Sequence, residues 1–444
     1  MNSLCNLPTG VKMKIVAVIS LLLSLSLNIY CKYLIDSYKI AEEYFNEIKE
    51  ICIKDNGSLW GKSLYGSILF IEKSTRTIIA NQPDNEGLLK KLYNLYTGKF
   101  PLEKNIANST VEFGGIQWTM VIWPHPEDRS ERNLLIMHES FHRVQEELGL
   151  NPYGYDNSHL EKKDARIFMQ LEWMALEKAI DSKDDQLKSA IHDALVFRKY
   201  RQSLFPAYKL SETKLEIHEG MAEYTGIKLT FDNNKKLVKK LHKKAAEIKK
   251  SESYYRTFAY CSGPLYGCLL DRSGMNWRQD LTKESDLGEL VKKAYTIDTI
   301  ENLDRNTVVN LGKMYSYEKI EKKEKKRELT VEKILAEYKN KFTCEPVMKI
   351  YLRRMNIGFD PNNLLSLDTL GTVYRSLRLT DDWGILIVHE GGALLSKDWD
   401  YILIPGQNMK QSGEKITGAG WELFLKENWQ LIKIKDVFTL EILE

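Results

Sequence analysis

LLIMHESFHRVQEELG, residues 134–149, is the stretch on which the reading of this chain turns. It holds His138, Glu139 and His142 in the spacing H-E-x-x-H. Residues four apart share one face of a helix, so both imidazoles can meet a single metal ion. Glu139 then stands beside that ion, where a carboxylate can take a proton from an activated water. Leu134, Met137, Phe141, Val144 and Leu148 recur at steps of three and four, the period of a half-buried helix. Gly149 and Pro152 provide the stop signal. The competing reading is a surface helix with an i, i+4 histidine pair; the uncharged Ser140 and Phe141 between the histidines favour the metal.

Downstream, three further helical stretches follow, at 159–180, 184–205 and 209–229. The last, KLSETKLEIHEGMAEYTGIKL, spaces Glu212, Glu216, Glu219 and Glu223 by four, three and four, which puts four carboxylates on one stripe. A solvated acidic face is the ordinary explanation of such a stripe. Here Ile217, Met221 and Tyr224 form an apolar flank, and like charges at i, i+4 are mutually destabilising. Metal or arginine should therefore neutralise some of them, with Arg166, Arg198 and Arg201 as candidates.

HEGMAEY (218–224) resembles the E-G-x-A-x-Y segment of aminopeptidase N-type zinc peptidases, which belong with thermolysin to the gluzincins. The resemblance implies a His, His, Glu ligand set for Zn2+: His138, His142 and Glu219, with Glu223 as the alternative third ligand. It further implies Glu139 as general base in hydrolysis of a peptide or related amide bond. Three departures stand out. Arg143 replaces an uncharged residue, His218 stands where those enzymes have Asn, and Glu219 follows His142 by 77 positions, far more than in familiar members. Two helices would have to be inserted between the ligands.

The segment FAYCSGPLYGCLLD (258–271) is similar to the Y-x-x-G segment that carries the transition-state tyrosine of the same enzymes. By that resemblance Tyr260 is the oxyanion donor, Tyr255 matches a second tyrosine, and Tyr266 is the rival. Ordinary core packing of Tyr260 is the plain alternative. The signature G-x-M-E-N is absent from FGGIQWTMVIWP (113–124), so exopeptidase specificity does not carry over.

That same stretch alternates Ile116, Trp118, Met120 and Ile122 against Gln117 and Thr119, the pattern of a half-buried strand ended by Pro124. It precedes the H-E-x-x-H helix and reads as a substrate-side edge strand. SILFIEKSTRTIIAN (67–81) reads as a hairpin around Lys73-Ser74-Thr75, with helices expected over 36–52 and near 85–96. Residues 313–340 form a highly charged helical stretch. From Glu345 onward, runs such as WGILIVHEG and WELFLK, separated by Gly, Asn and Asp, read as a β domain of the sandwich kind.

Residues 1–31 differ in character. Lys12 and Lys14 precede the apolar run 15–29, which is the length of a signal-peptide core and short for a membrane span of about 20 residues. The expectation is export, secreted or with 11–31 kept as a membrane tether, against a buried helix of a cytosolic protein. The six cysteines show no C-x-x-C spacing, so a metal must be held by nitrogen and oxygen. A net charge of +3, with no basic block carrying interleaved aromatics, speaks against a nucleic-acid partner.

The expected fold class is α+β: a signal or anchor (1–31), an α/β region (32–130), a helical zincin-like catalytic region (131–340) and a C-terminal β domain (341–444). The expected partner is a peptide or protein substrate. The alternative from another class is a non-catalytic cell-surface protein that binds through the same scaffold.

Overall fold

In the structure, a computed structural model, residues 36–298, 303–360, 363–434 and 437–443 are described. The apolar run 15–29 lies outside them. Among the described residues no helix is long and apolar enough to cross a membrane, and the mixed α+β class holds.

Helix α1 (36–55) buries Tyr38, Ala41, Phe45, Ile48 and Cys52, spaced alternately three and four apart. This stripe packs on a sheet of β1 (Ile68–Glu72), β2 (Thr77–Ala80), β3 (Lys90–Leu92), β4 (Leu95–Lys99), β5 (Ser109–Phe113) and β6 (Ile116–Trp123). The strand order is β3-β4-β2-β1-β6-β5, with β1 and β6 parallel. Ile68, Phe70, Val121 and Trp123 face the helical core, while Leu69, Ile71, Trp118 and Met120 form a second cluster on the opposite face. Both faces of the central strands are thus dry.

Two expectations are corrected here. The helix expected near 85–96 is a loop followed by the β3–β4 hairpin. Asp84 accepts hydrogen bonds from the backbone N–H groups of Glu86, Leu88 and Leu89, which fixes the loop, and β4 pairs with β2. The strand read as an edge strand, β6, lies inside the sheet, and β5 is the outer strand. Gly114 and Gly115, at φ 58° and 70°, make the two-residue turn that folds β5 onto β6. That glycine pair was the signal for it.

The helical part starts with α2 (Arg129–Gln145), whose N-terminus is capped by Asp128 accepting from Ser130 and Glu131 N–H. Next come α3 (Lys163–Asp181) and α4 (Asp184–Leu204), a helical hairpin, and then α5 (Lys209–Leu215). A π-helical turn, Glu216–Gly220, leads into α6 (Met221–Thr230). The rest comprises α7 (Asn234–Ile248), α8 (Ala259–Ser273), α9 (Leu287–Tyr295), α10 (Arg305–Gly312) and the long α11 (Tyr317–Cys344). One apolar cluster joins α1, the inner sheet face and these helices as far as Ile320.

Beyond α11 the chain forms a seven-stranded and a six-stranded sheet. Ile350, Ile402 and Ile404 from one meet Leu379, Leu386 and Leu423 from the other in a common core, as in a sandwich. Phe342 of α11 packs against Leu367, Val373 and Leu394 of the seven-stranded side.

Candidate metal centre

Helix α2 carries His138 and His142 one turn apart, and its packing partner α6 follows directly on the π-turn that carries Glu219. The helices approach closely because residue 226 is glycine: a Cβ there would stand 2.7 Å from the Leu134 carbonyl oxygen. The Nε2 atoms of His138 and His142 are 3.1 Å apart, and Glu219 Oε2 lies 3.5 Å from each. Ligands held about 2.0–2.1 Å from one tetrahedral centre stand about 3.3–3.4 Å apart, so this triangle has the dimensions of three corners of a zinc site. His138 and Glu219 are buried and His142 nearly so.

The remaining ring nitrogens are also engaged. His138 Nδ1 lies 3.2 Å from Glu223 Oε2, and His142 Nδ1 lies 2.8 Å from Gln145 Oε1. Gln145 in turn donates to the carbonyls of Ile217 and His218, tying α2 to the π-turn. Such outer partners fix ring orientation and keep the Nε2 atoms inward. Glu223 therefore stands behind His138, not beside Glu219; its other oxygen pairs with Lys244 at 2.6 Å.

The expected four-carboxylate stripe is divided in two. Glu212 and Glu216 point into a buried ionic cluster, where Arg201 grips Glu212 and Arg198 grips Glu216. Glu172 of α3 contacts both arginines, and His159 Nε2 lies 2.7 Å from Glu212. Of the two helices inserted between the ligands, α4 thus supplies the counter-charges and α3 a third carboxylate. Arg166 does not join them; it pairs with Glu324 of α11. A π-turn widens the helix by one residue, and this one separates the arginine-bound pair from Glu219 and Glu223.

Glu139 is buried and lines a large cleft with His138, Glu223 and Tyr260. Burial pushes its carboxyl above the usual range, and the two histidines offset this only in part. Burial works to lower the His138 pKa, but Glu219 and Glu223 outweigh it and push the ring up to about 10. Glu219 itself is held well below the carboxylate range: burial opposes this, and the two histidines and Arg256 prevail.

Tyr260 opens α8, and its hydroxyl donates to Glu219 Oε2, the oxygen facing the histidines, at 2.6 Å. Its ring stacks on that of His138 at 5.6 Å. The contact follows from a glycine pair: a Cβ on Gly263 would lie 2.4 Å from Gly220 Cα, so bare backbone is what lets α8 touch the π-turn. The rival, Tyr266, stands elsewhere. Tyr266 donates to Glu172 in the ionic cluster, and the Tyr255 backbone N–H is held by Glu161.

Arg256 was not legible beforehand; its guanidinium contacts Glu219 Oε1. Nor were Lys244 and Gln145, although Gln145 lies three residues after His142 on the same helix and its position was the available signal. Arg143, the departure noted in the motif, reaches away from the site to the Leu64 carbonyl at 2.8 Å. His218 is kept neutral, its pKa lowered to about 4 chiefly by burial, and it lies 3.0 Å from the Tyr155 hydroxyl.

Compared with protein-family models, with curated proteins and with solved structures, the chain matches none.

Proposed function

We propose that this chain is a zinc-dependent hydrolase, most concretely a metallopeptidase working outside the cytoplasm. The observation that carries this reading is the triangle of His138 Nε2, His142 Nε2 and Glu219 Oε2, with sides of 3.1, 3.5 and 3.5 Å. These three side chains would hold the ion, and a bound zinc supplies Lewis acidity that activates water and polarises a carbonyl. Glu139, adjacent in sequence and buried at the cleft, accepts the water proton and returns it to the leaving amine. The Tyr260 hydroxyl turns from Glu219 Oε2 to donate a hydrogen bond to the oxygen that becomes negative in the tetrahedral species. The extracytoplasmic assignment rests on the apolar run 15–29 behind Lys12 and Lys14.

Glu139→Gln tests the reading. The substitution keeps side-chain size but removes the basic oxygen, so zinc content should stay near that of the parent. Hydrolysis of whatever peptides the parent cleaves should fall by at least ~100-fold. Equal activity in the variant would detach that activity from this site. A parent protein that binds zinc but cleaves nothing would favour the non-catalytic alternative.

A further inference from the structure

The cleft that His138, Glu139 and Tyr260 line has a volume of about 1270 Å³ and is walled on its far side by the C-terminal sandwich. That exceeds the roughly 300–1,000 Å³ of a small-molecule pocket and suits an extended segment of polypeptide. Two arginines from different parts of the chain line this cleft. Arg76 sits in the β1–β2 turn with φ 56°, and Arg378 sits on the sandwich strand Leu377–Asp381.

Both guanidiniums are anchored on the same loop, and neither by a carboxylate. Arg76 donates to the carbonyls of Phe100, Pro101 and Lys104. Arg378 donates to Asn105 Oδ1 at 2.9 Å and to the Leu102 carbonyl at 2.8 Å. Carbonyl and amide acceptors satisfy N–H groups but leave the charges uncompensated. Burial lowers the Arg76 pKa, and so does the positive charge of Arg378, with Glu103 opposing only in part. Lys73, on the same turn as Arg76, also lines the cleft.

The acids of the cleft do not compensate this pair. Glu131 is held by Lys240 and Lys243, and Glu223 by Lys244 and His138. Glu139 belongs to the metal centre. Asp360 shares the wall and has interactions of its own. In a chain with 61 acidic residues, two cations brought together across a domain boundary, with Glu103 nearby but, among the described residues, no carboxylate bonded to either guanidinium, call for an external one. Arg76 Nη1 and Arg378 Nε have no protein acceptor among the described residues and remain available to it.

We propose that Arg76 and Arg378 form an anion subsite of the cleft that seats an acidic side chain of a peptide substrate. The planar guanidinium fork lets each arginine keep its loop contacts and still turn one nitrogen, Arg76 Nη1 or Arg378 Nε, to the carboxylate, which a single lysine ammonium would not. This rests on the hydrolase reading for the word substrate, but the subsite can be tested without cleavage.

The test uses the full chain carrying Glu139→Gln and fluorescent, otherwise neutral peptides in which a single Glu or its Gln counterpart is walked along the sequence. Binding is read by anisotropy. At one or two positions Glu should bind ~10-fold or more tightly than Gln, and added salt should shrink the difference. Arg76→Gln and Arg378→Gln should bring the Glu/Gln ratio toward one, while Arg76→Lys and Arg378→Lys, which keep charge and lose the fork, should retain part of it. No Glu preference at any position overturns the proposal, and so does a preference that survives both Gln variants. Should one Gln variant fail to give a cooperative melt, the parent's Glu walk and the other variant decide. A protein that prefers Glu peptides but cleaves none would remove the hydrolase reading and leave the subsite standing.

Discussion

Glu223 Oε2 lies 3.2 Å from His138 Nδ1, on the nitrogen opposite the one that faces His142 and Glu219. Two carboxylates one helical turn apart therefore hold different stations: Glu219 among the inward-facing atoms, Glu223 behind the ring. Sequence spacing left the choice between them open. The position of each oxygen relative to the two ring nitrogens distinguishes them.

Glu219→Ala and Glu223→Gln should accordingly differ. Loss of Glu219 removes a proposed ligand, so zinc affinity and activity should fall together, with added zinc restoring little. Loss of the Glu223 charge should lower zinc affinity by about 10–100-fold, the usual effect of an outer partner, with activity recovered at high zinc. Zinc affinity measured against a competing chelator checks both. The reverse ranking would put the third ligand one turn further along.

Tyr260→Phe removes only the hydroxyl that lies 2.6 Å from Glu219 Oε2. Zinc content should be unchanged at saturating zinc, although affinity should fall by up to about 10–100-fold because an outer partner of Glu219 is lost. The rate on peptide substrates should fall by about 100-fold or more, the effect of losing one oxyanion donor. Full activity in Tyr260→Phe would assign the tyrosine to packing against His138 alone.

The ionic cluster behind the site should be costly to break on one side. Arg201 is fully buried between Glu172 and Glu212, and Arg201→Met leaves both carboxylates without that partner. The expected loss of folding stability is about 3–5 kcal/mol, read by urea titration. Near-parental stability in Arg201→Met would show that Arg198 and His159 suffice to hold the pair.

His125 gives the fold a pH dependence of its own. Burial lowers its pKa to about 4, with Arg132 adding to the effect, and the ring packs against Phe70 and Trp123. The folded state therefore resists a proton that the unfolded chain accepts near pH 6.5. The resulting stability is present in full above about pH 6.5 and declines as pH falls toward 4, by at most about 3 kcal/mol. Melting curves across that window should show a shallower decline for His125→Phe than for the parent. Parallel declines would place the acid sensitivity in other groups.

How much of this was legible before the fold was known depends on the range over which each contact acts. Helix α2, its stop near Gly149, the β1–β2 hairpin and the amphipathic pair α3 and α4 follow from local periodicity, and the structure has them where the pattern put them. The His138 and His142 pairing is equally local, because four residues is one helical turn. Asp84 and the β2–β4 pairing overrode the helical pattern near 85–96, since a strand's partners lie outside its own sequence.

The sequence by itself determined the histidine pair, the carboxylate between them and the need for the Glu212–Glu223 stripe to be neutralised. Tertiary structure alone decided how that stripe is divided. The π-turn at Glu216–Gly220 shifts the helix phase, so Glu212 and Glu216 meet Arg201 and Arg198 while Glu219 and Glu223 meet the histidines. Only packing could decide it, because the energy that selects each partner comes from charges on α2, α3 and α4, far apart along the chain. The same holds for Tyr260, brought to Glu219 by the backbone contact of Gly220 with Gly263. Arg76 and Arg378, 302 positions apart, meet at one cleft only because the sandwich docks on the loop that anchors both.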